Sequence, residues 1–266
     1  MKQIVVFFIL LILTIFISYI CFFKNEKFIN INDSTNNSSS FNVSLCIPCI
    51  PRDKEKLLRL MESVNIQINK PMEVIISLSG EKYTNDSFKN KLEKIATVPV
   101  IIIYNSDLKN ASENRNIASN YANGDIISYF DADDIMNKNR IKRIVELFKK
   151  YDCNAVLHSF ESTLDINKNS KYEIRIYDGK YMYNLSKEIN TPFLHIDNEH
   201  LICHGHVSIK KSVFDNIQFD TSEQYKRSED SKFVRDILEF YGNNHNTIIF
   251  TNEKLSFYIS ARYQSE

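Results

Sequence analysis

The chain has 266 residues, enough for one substantial α/β domain with an appendage. Its 33 lysines plus arginines are matched by 33 acidic residues, which excludes a global field that would recruit nucleic acid or anionic lipid. Tryptophan is absent and glycine scarce, while Asn, Lys and Ile abound, a bias that carries little chemistry.

In chain order, the first feature is an uncharged apolar run, Ile4–Phe23. As a helix it would be ~30 Å long, about the hydrocarbon thickness of a bilayer. A cleaved signal peptide and a retained signal anchor compete for it. The length of the run and the lack of a small-x-small cleavage site favour a retained transmembrane helix. Cys21 points to a lipoprotein, but Ile20 before it is larger than that processing accepts. Lys2 and the terminal amine on one side, with Lys24 and Lys27 on the other, leave the positive-inside rule nearly silent. Lys24–Ser40 is polar and Asn/Ser-rich, as expected of a flexible stem. Asn32, Asn36, Asn37, Asn42 and Asn110 head N-x-Ser sequons, which matter only if the chain enters a secretory lumen.

From residue 41 the periodicities alternate. Asn42–Ile47 reads as a first strand ended by Pro48 and Pro51. Lys54–Ile68 carries Leu57, Leu58, Met61, Val64 and Ile68 on one helical face. Glu73–Leu78 is a second strand, Phe88, Leu92 and Ile95 mark a helix, and Val98–Tyr104 is a third strand. Ser112–Ala122 is a helix leading to another apolar strand at Ile126–Phe130. Strands alternating with helices imply a parallel sheet with right-handed crossovers, a nucleotide-binding half. Asn139–Tyr151 is an amphipathic helix whose basic face reads as solvated surface, and Asn154–Phe160 a further strand. Glu161–Glu199 is mostly loop-like apart from an alternating stretch at Tyr172–Tyr177. Ser228–Asp230 opens another amphipathic helix, and a strand pair is expected from Thr247 onward. Cys46 and Cys49 form a lone C-x-x-C with no second pair to complete a zinc site, so packing is the expected role. Disulfides among Cys46, Cys49, Cys153 and Cys203 stay open.

The chemistry concentrates at Ala111–Asp134. Arg115–Asn116 on a helix, an Ala-x-Gly-Asp turn at Ala122–Asp125, a buried strand and the cluster Asp131, Asp133, Asp134 follow one another at close spacing. Ligands of open α/β sheets bind beyond the carboxyl ends of strands. Carboxylates crowded there repel one another unless a cation lies between them, and oxygen ligands suit Mg²⁺ or Mn²⁺. The bland alternative is a solvated acidic turn.

This arrangement resembles the family 2 glycosyltransferases of the GT-A fold, whose Ala-Arg-Asn helix, small-residue turn and "DADD" strand end stand in the same order. The likeness extends from about Phe41 to Asp236. It implies an α/β, Rossmann-like, mostly parallel sheet flanked by helices, behind an N-terminal transmembrane helix. The expected division is 1–23 cytoplasmic tip and signal anchor, 24–40 stem and 41–266 catalytic domain. Within that domain, 41–135 binds the nucleotide sugar and 136–266 the acceptor. IPCIPRD at Ile47–Asp53 and EVIISLSG at Glu73–Gly80 are similar to the family's opening motifs, which implies donor contacts at Pro48, Cys49 and Ser79. The family's paired acids after the second strand fall on Leu78 and Ser79; only the Ser79 hydroxyl could still meet the base. Arg115 is implied as the cation for the diphosphate or base. Asp131, Asp133 and Asp134 are implied as the metal site for Mn²⁺ or Mg²⁺.

Glu229 and Asp230 match the general-base motif, with Asp230 in the base position. His204-Gly205-His206 leads into a segment like the one below the family's acceptor cleft; the histidines could bind metal or acceptor, though each singly reads as structural, because no partner is fixed by spacing. The expectation is thus a metal-dependent, inverting, hexosyltransferase-type enzyme. It would move a sugar from a nucleoside-diphosphate sugar, UDP-linked above all, to a glycan, lipid or protein acceptor. The family's usual short tail and large C-terminal domain imply type II single-pass membrane localisation, in a Golgi-like lumen for a eukaryotic or viral source. A sugar nucleotidyltransferase or a catalytically impaired binding module on the same fold are the alternatives; the module would also explain the lost acids at Leu78 and Ser79, and Pro48–Arg52 lacks the Gly-rich loop of the former.

Overall fold

A computed structural model of the protein describes residues 41–81, 86–162, 173–188, 202–242 and 244–259. Strand β1 (Val43–Cys49) pairs in parallel with β2 (Glu73–Ser79) on one side and β4 (Ile126–Tyr129) on the other. Strand β3 (Val100–Asn105) continues the parallel run beyond β2. Helices α1 (Lys54–Asn65), α2 (Asp86–Ile95) and α3 (Ala111–Asn120) connect these strands. Because successive residues of a strand face opposite ways, each strand feeds two cores. Leu45, Ile47, Val74 and Ile76 pack with Leu57, Leu60, Met61 and Leu92 on one side of the sheet. Cys46, Ile75, Ile127 and Tyr129 pack with Ala118 and Phe233 on the other.

The second half extends the same sheet. Strand β8 (Ser208–Lys210) runs antiparallel to β4, and β6 (Ala155–Ser162) antiparallel to β8. Strand β9 (Ile248–Tyr258) runs parallel to β6, and β5 (Ile135–Met136) and β7 (Ile176–Asp178) pair antiparallel with β9. The order is β3-β2-β1-β4-β8-β6-β9-β5, with β7 also on β9. Helices α4 (Arg140–Tyr151), α5 (Gly179–Glu188), α6 (Lys211–Phe214) and α7 (Glu229–Tyr241) complete the described elements. The expected α/β architecture of GT-A type is the one the chain adopts.

Several local expectations are revised. Pro48 does not end β1 but lies inside it. The β1–β4 register stops at Cys46, so the N–H that proline lacks is not demanded by β4. Helix α1 stops at Asn65, leaving Ile68 exposed rather than on its apolar face. The region read as loops contains α5, anchored by buried Met182. The expected C-terminal strand pair is one long strand, β9. Cys46, Cys49, Cys153 and Cys203 are free thiols.

The single-pass membrane localisation is not sustained. No helix among the described residues is long and apolar enough to cross a membrane. The Ile4–Phe23 run and the stem on which that expectation rested lie outside the described residues.

The turn before β4 explains why glycine stands at position 124. A Cβ there would lie 2.7 Å from both the Asn42 carbonyl oxygen and the Ser44 nitrogen. The Gly124 N–H donates to Ser44 Oγ at 2.8 Å, and Ser44 Oγ donates to Glu73 Oε1 at 2.6 Å. Backbone atoms of β1 cannot move aside without breaking its ladder. Gly124→Ala should therefore lower the urea midpoint, by the equivalent of about 1–3 kcal/mol, without changing the m-value.

Candidate active site

The site forms where β4 ends. Phe130 continues the strand by donating its N–H to the Cys46 carbonyl, and Asp131 follows at the sheet's rim. The chain then turns, with the Asp134 N–H reaching the Asp131 carbonyl at 3.3 Å. Asp134 is buried, and its Oδ1 accepts the Ile259 N–H at 3.0 Å, tying the turn to the residue after β9.

From the opposite side comes the 3₁₀ turn His204–His206, which enters β8. The antiparallel pairing of β8 with β4 brings His206 against the end of β4. Its ring stacks on Phe130 at 4.0 Å between centroids, and Nδ1 lies 3.1 Å from Ser256 Oγ. Its Nε2 is buried without a well-directed hydrogen bond, 3.2 Å from Asp134 Oδ2 and 3.7 Å from Asp131 Oδ2. Burial alone would lower the imidazole pKa, but Cys203 and Asp134 beside it raise it to about 10. Asp131, Asp134 and His206 each offer one ligand atom, all within 4.8 Å of one another. Two carboxylate oxygens and a ring nitrogen make a donor set that fits a first-row divalent ion, which on entering would displace the proton that the imidazole carries between the carboxylates.

Beneath this group lies Arg140, the first residue of α4. Sequence periodicity assigns it to a solvated basic face, but it is wholly buried. It donates to Ser128 Oγ at 2.8 Å, the Tyr129 carbonyl at 3.1 Å, the His206 carbonyl at 2.8 Å and His158 Nε2 at 3.0 Å. His158 must therefore be neutral, with its proton on Nδ1 facing the Ser159 carbonyl at 2.8 Å. Burial, then the charge of Arg140, holds His158 well below its usual pKa, and burial lowers Arg140 itself to about 9. The guanidinium thus clamps the backbone on both sides of the ligand group.

Helix α3 delivers Arg115. The helix starts at a capping box: Asn110 Oδ1 accepts the Glu113 N–H at 2.9 Å and Glu113 Oε2 accepts the Asn110 N–H at 2.8 Å. Arg115 Nη2 donates to Asp131 Oδ1 at 2.8 Å, and Nη1 to Glu229 Oε1 at 3.0 Å. The arginine side chain is 4% exposed, against 33% for Asp131. Burial would raise the Asp131 pKa, but Arg115 and then His206 bring it below the ordinary carboxylate value. Helix α7 supplies Glu229 and Asp230 in its first turn. Asp230 Oδ1 accepts the Ser231 N–H at 2.7 Å.

Gly205, itself buried, is the close-packed point at which these groups meet. A Cβ on it would stand 3.1 Å from Asp131 Oδ2, 3.3 Å from Arg115 Nη2 and 3.7 Å from Asp230 Oδ2. Strand β9 closes another side, where burial and then the carboxylates of Asp134, Asp133 and Asp131 raise the Tyr258 phenol pKa.

The structure thus brings together Asp131, Asp134, Arg115, Glu229 and Asp230 of the residues expected from sequence. Asp133 is outside the three-ligand group, and its carbonyl accepts Arg59 Nη2 at 3.0 Å. His206, and not Asp133, is the third member of the group that the geometry brings together. Ser79 is wholly buried, its oxygen accepting the Lys109 N–H at 3.1 Å and Asn114 Nδ2 at 3.0 Å, so its hydroxyl is engaged inside the protein. Cys49 is buried too, with Sγ 3.5 Å from the Ile50 carbonyl, and Pro48 stands beside Ser77 of β2. Sequence reasoning missed the joint role of His206 because its partners lie more than seventy residues earlier in the chain. The available signal was the His-Gly-His string itself, whose spacing fixes no partner.

Residues 44–218 match glycosyl transferase family 2. An uncharacterized glycosyltransferase of Methanocaldococcus jannaschii is 27% identical over 202 residues, 75% of this chain and 66% of that protein. Among solved structures, a Pyrobaculum calidifontis mannosyltransferase in complex with GDP-Man and Mn²⁺ superposes with a TM-score of 0.60 at 14% identity, over 91% of this chain and 64% of that one. S. aureus TarS, residues 1–349, gives 0.57 at 16% identity, over 82% and 60%, and has also been solved with UDP and with UDP-GlcNAc. The structural likenesses establish the fold. The chain spans somewhat less than two thirds of the length of these relatives, 66%, 64% and 60%.

Proposed function

We propose, from the premise that this chain belongs to glycosyl transferase family 2, that it moves a sugar from a nucleoside-diphosphate sugar to an acceptor hydroxyl with inversion at the anomeric carbon. The observation that carries this reading is the convergence at Gly205. An atom of Asp131 on the rim of β4, of Arg115 of α3 and of Asp230 of α7 each lies within 3.7 Å of where a Cβ on Gly205 would stand. A single displacement requires a donor-holding carboxylate and a proton acceptor close to each other, and Asp131 and Asp230 are brought together at this glycine.

Asp131, Asp134 and His206 would hold a divalent cation. The imidazole in that set favours a first-row ion such as Mn²⁺ over Mg²⁺, which prefers oxygen ligands and retains its waters. When bound, such an ion neutralises negative charge developing on the leaving diphosphate. Arg140 keeps the ligand group in place from below. Asp230 has its Oδ1 occupied by the Ser231 N–H, so Oδ2 is the atom that would take the acceptor's proton. The acceptor oxygen forms the new bond to the anomeric carbon as the bond to the diphosphate breaks. The nucleoside diphosphate leaves with that electron pair, and no covalent enzyme intermediate is required.

Recognition of the nucleotide base is assigned away from the family's usual acids, because Leu78 and Ser79 stand there buried and Ser79 is already hydrogen-bonded. Relatives bind UDP-, UDP-GlcNAc and GDP-Man, so both nucleotide classes belong in the test. A panel of UDP- and GDP-sugars with and without Mn²⁺ should raise Tm for one nucleotide class, in an Mn²⁺-dependent way. Saturation at a hundred times Kd corresponds to about 2.7 kcal/mol. Nucleoside diphosphate should then appear from that donor. A stabilising donor that is never turned over would favour the binding-module reading. No stabilisation by any nucleotide sugar would overturn the donor assignment.

A further inference from the structure

Arg115 is engaged in a way that a diphosphate-binding cation would not be. Both terminal nitrogens already donate to carboxylates of the chain itself, Asp131 at 2.8 Å and Glu229 at 3.0 Å. Its guanidinium lies over the Phe219 ring at 5.2 Å, and its Nε is buried with no hydrogen-bond partner. The two carboxylates arrive from separate elements, one at the end of β4 and one in the first turn of α7. A planar fork held at two prongs and stacked on an aromatic face has little freedom to reorient towards an incoming ligand.

What the fork does to each partner follows from the atoms involved. Arg115 takes Oδ1 of Asp131, leaving Oδ2 turned towards His206 Nε2 at 3.7 Å and close to Gly205. Glu229 is the residue before Asp230, so holding its side chain holds the backbone from which Asp230 projects.

We infer that Arg115 is a positioning residue, which aims Asp131 Oδ2 into the cation-ligand group and fixes the first turn of α7, and that Glu229 is its anchor rather than a proton carrier. This rests on the glycosyltransferase reading but differs from the family-derived expectation that Arg115 binds the donor. Outer partners that orient a ligating carboxylate typically change metal affinity ~10–100-fold when removed.

The test is calorimetric titration of Mn²⁺ without nucleotide, and of UDP or GDP without metal, into the wild-type chain and variants. Arg115→Met should weaken Mn²⁺ binding by roughly 10–100-fold and leave metal-free nucleotide affinity within about twofold. Arg115→Lys, which keeps the charge but spans one carboxylate only, should fall between and serves if the methionine variant fails to fold. Glu229→Gln keeps an oxygen for Nη1 and should leave Mn²⁺ affinity within about threefold. The reverse pattern, in which nucleotide affinity falls in both arginine variants while Mn²⁺ binding is unchanged, would make Arg115 a donor ligand and overturn the inference. A wild-type chain that binds neither Mn²⁺ nor nucleotide would instead sink the glycosyltransferase reading on which it stands.

Discussion

Asp230→Asn is expected to lower kcat by roughly 10²–10⁴-fold, the usual contribution of a well-placed general base. The substitution is nearly isosteric. Asn retains an oxygen for the Ser231 N–H now bound by Asp230 Oδ1, so the first turn of α7 keeps its local hydrogen bond. What disappears is a basic oxygen at Oδ2, the atom nearest Gly205. Nucleotide and Mn²⁺ binding should change little, because the ligand group is Asp131, Asp134 and His206 and excludes Asp230. Stability should stay within about 0.5 kcal/mol, as for substitutions that disturb neither core nor cap. Initial-rate measurements with the donor found by the panel check this directly. A variant within a few-fold of wild-type kcat would remove Asp230 from the proton-transfer role.

Gly205→Ala should cost activity on a similar scale, about 10²-fold, for a reason that is purely spatial. The added methyl would occupy the point where Asp131, Arg115 and Asp230 converge, 3.1–3.7 Å from an atom of each. Those neighbours are the ends of side chains, which can shift by a few tenths of an ångström. The fold should therefore survive at a cost of about 1 kcal/mol, while the reacting groups are displaced. The contrast with Gly124→Ala is diagnostic: there the new methyl meets strand backbone at 2.7 Å, so stability falls and the active groups are untouched. Measuring kcat and the urea midpoint for both variants separates the two cases. If Gly205→Ala has wild-type kcat, the groups that converge on Gly205 are not the ones that carry the reaction.

The parts of this protein that were legible in its sequence are those written in short windows. Alternating apolar strands and 3.6-residue helices gave β1 to β4 and α1 to α4 within a few residues, because each element's burial is set by its own periodicity. The acidic cluster after β4 and the arginine of α3 were visible as one contiguous string, and the acids opening α7 by their offset from it. Pro48 misled because a proline's cost depends on whether a neighbour needs its N–H, which only the pairing register reveals. Arg140 misled because a basic residue on a helical face looks solvated until the opposing strands and the 3₁₀ turn His204–His206 close over it.

The amino-acid sequence by itself determined the α/β class, the place of the rim carboxylates at the end of a buried strand and the family. Only the tertiary structure decided which atoms face one another: that β8 lies antiparallel against β4 and carries His206 to Asp134, that Arg115 is held by two carboxylates, and that Asp131, Arg115 and Asp230 converge on Gly205. The physical reason is that periodicity and turn chemistry act over a few residues. Register between strands and the direction of a buried charge are instead set by the packing of segments far apart in the chain, which no local pattern encodes.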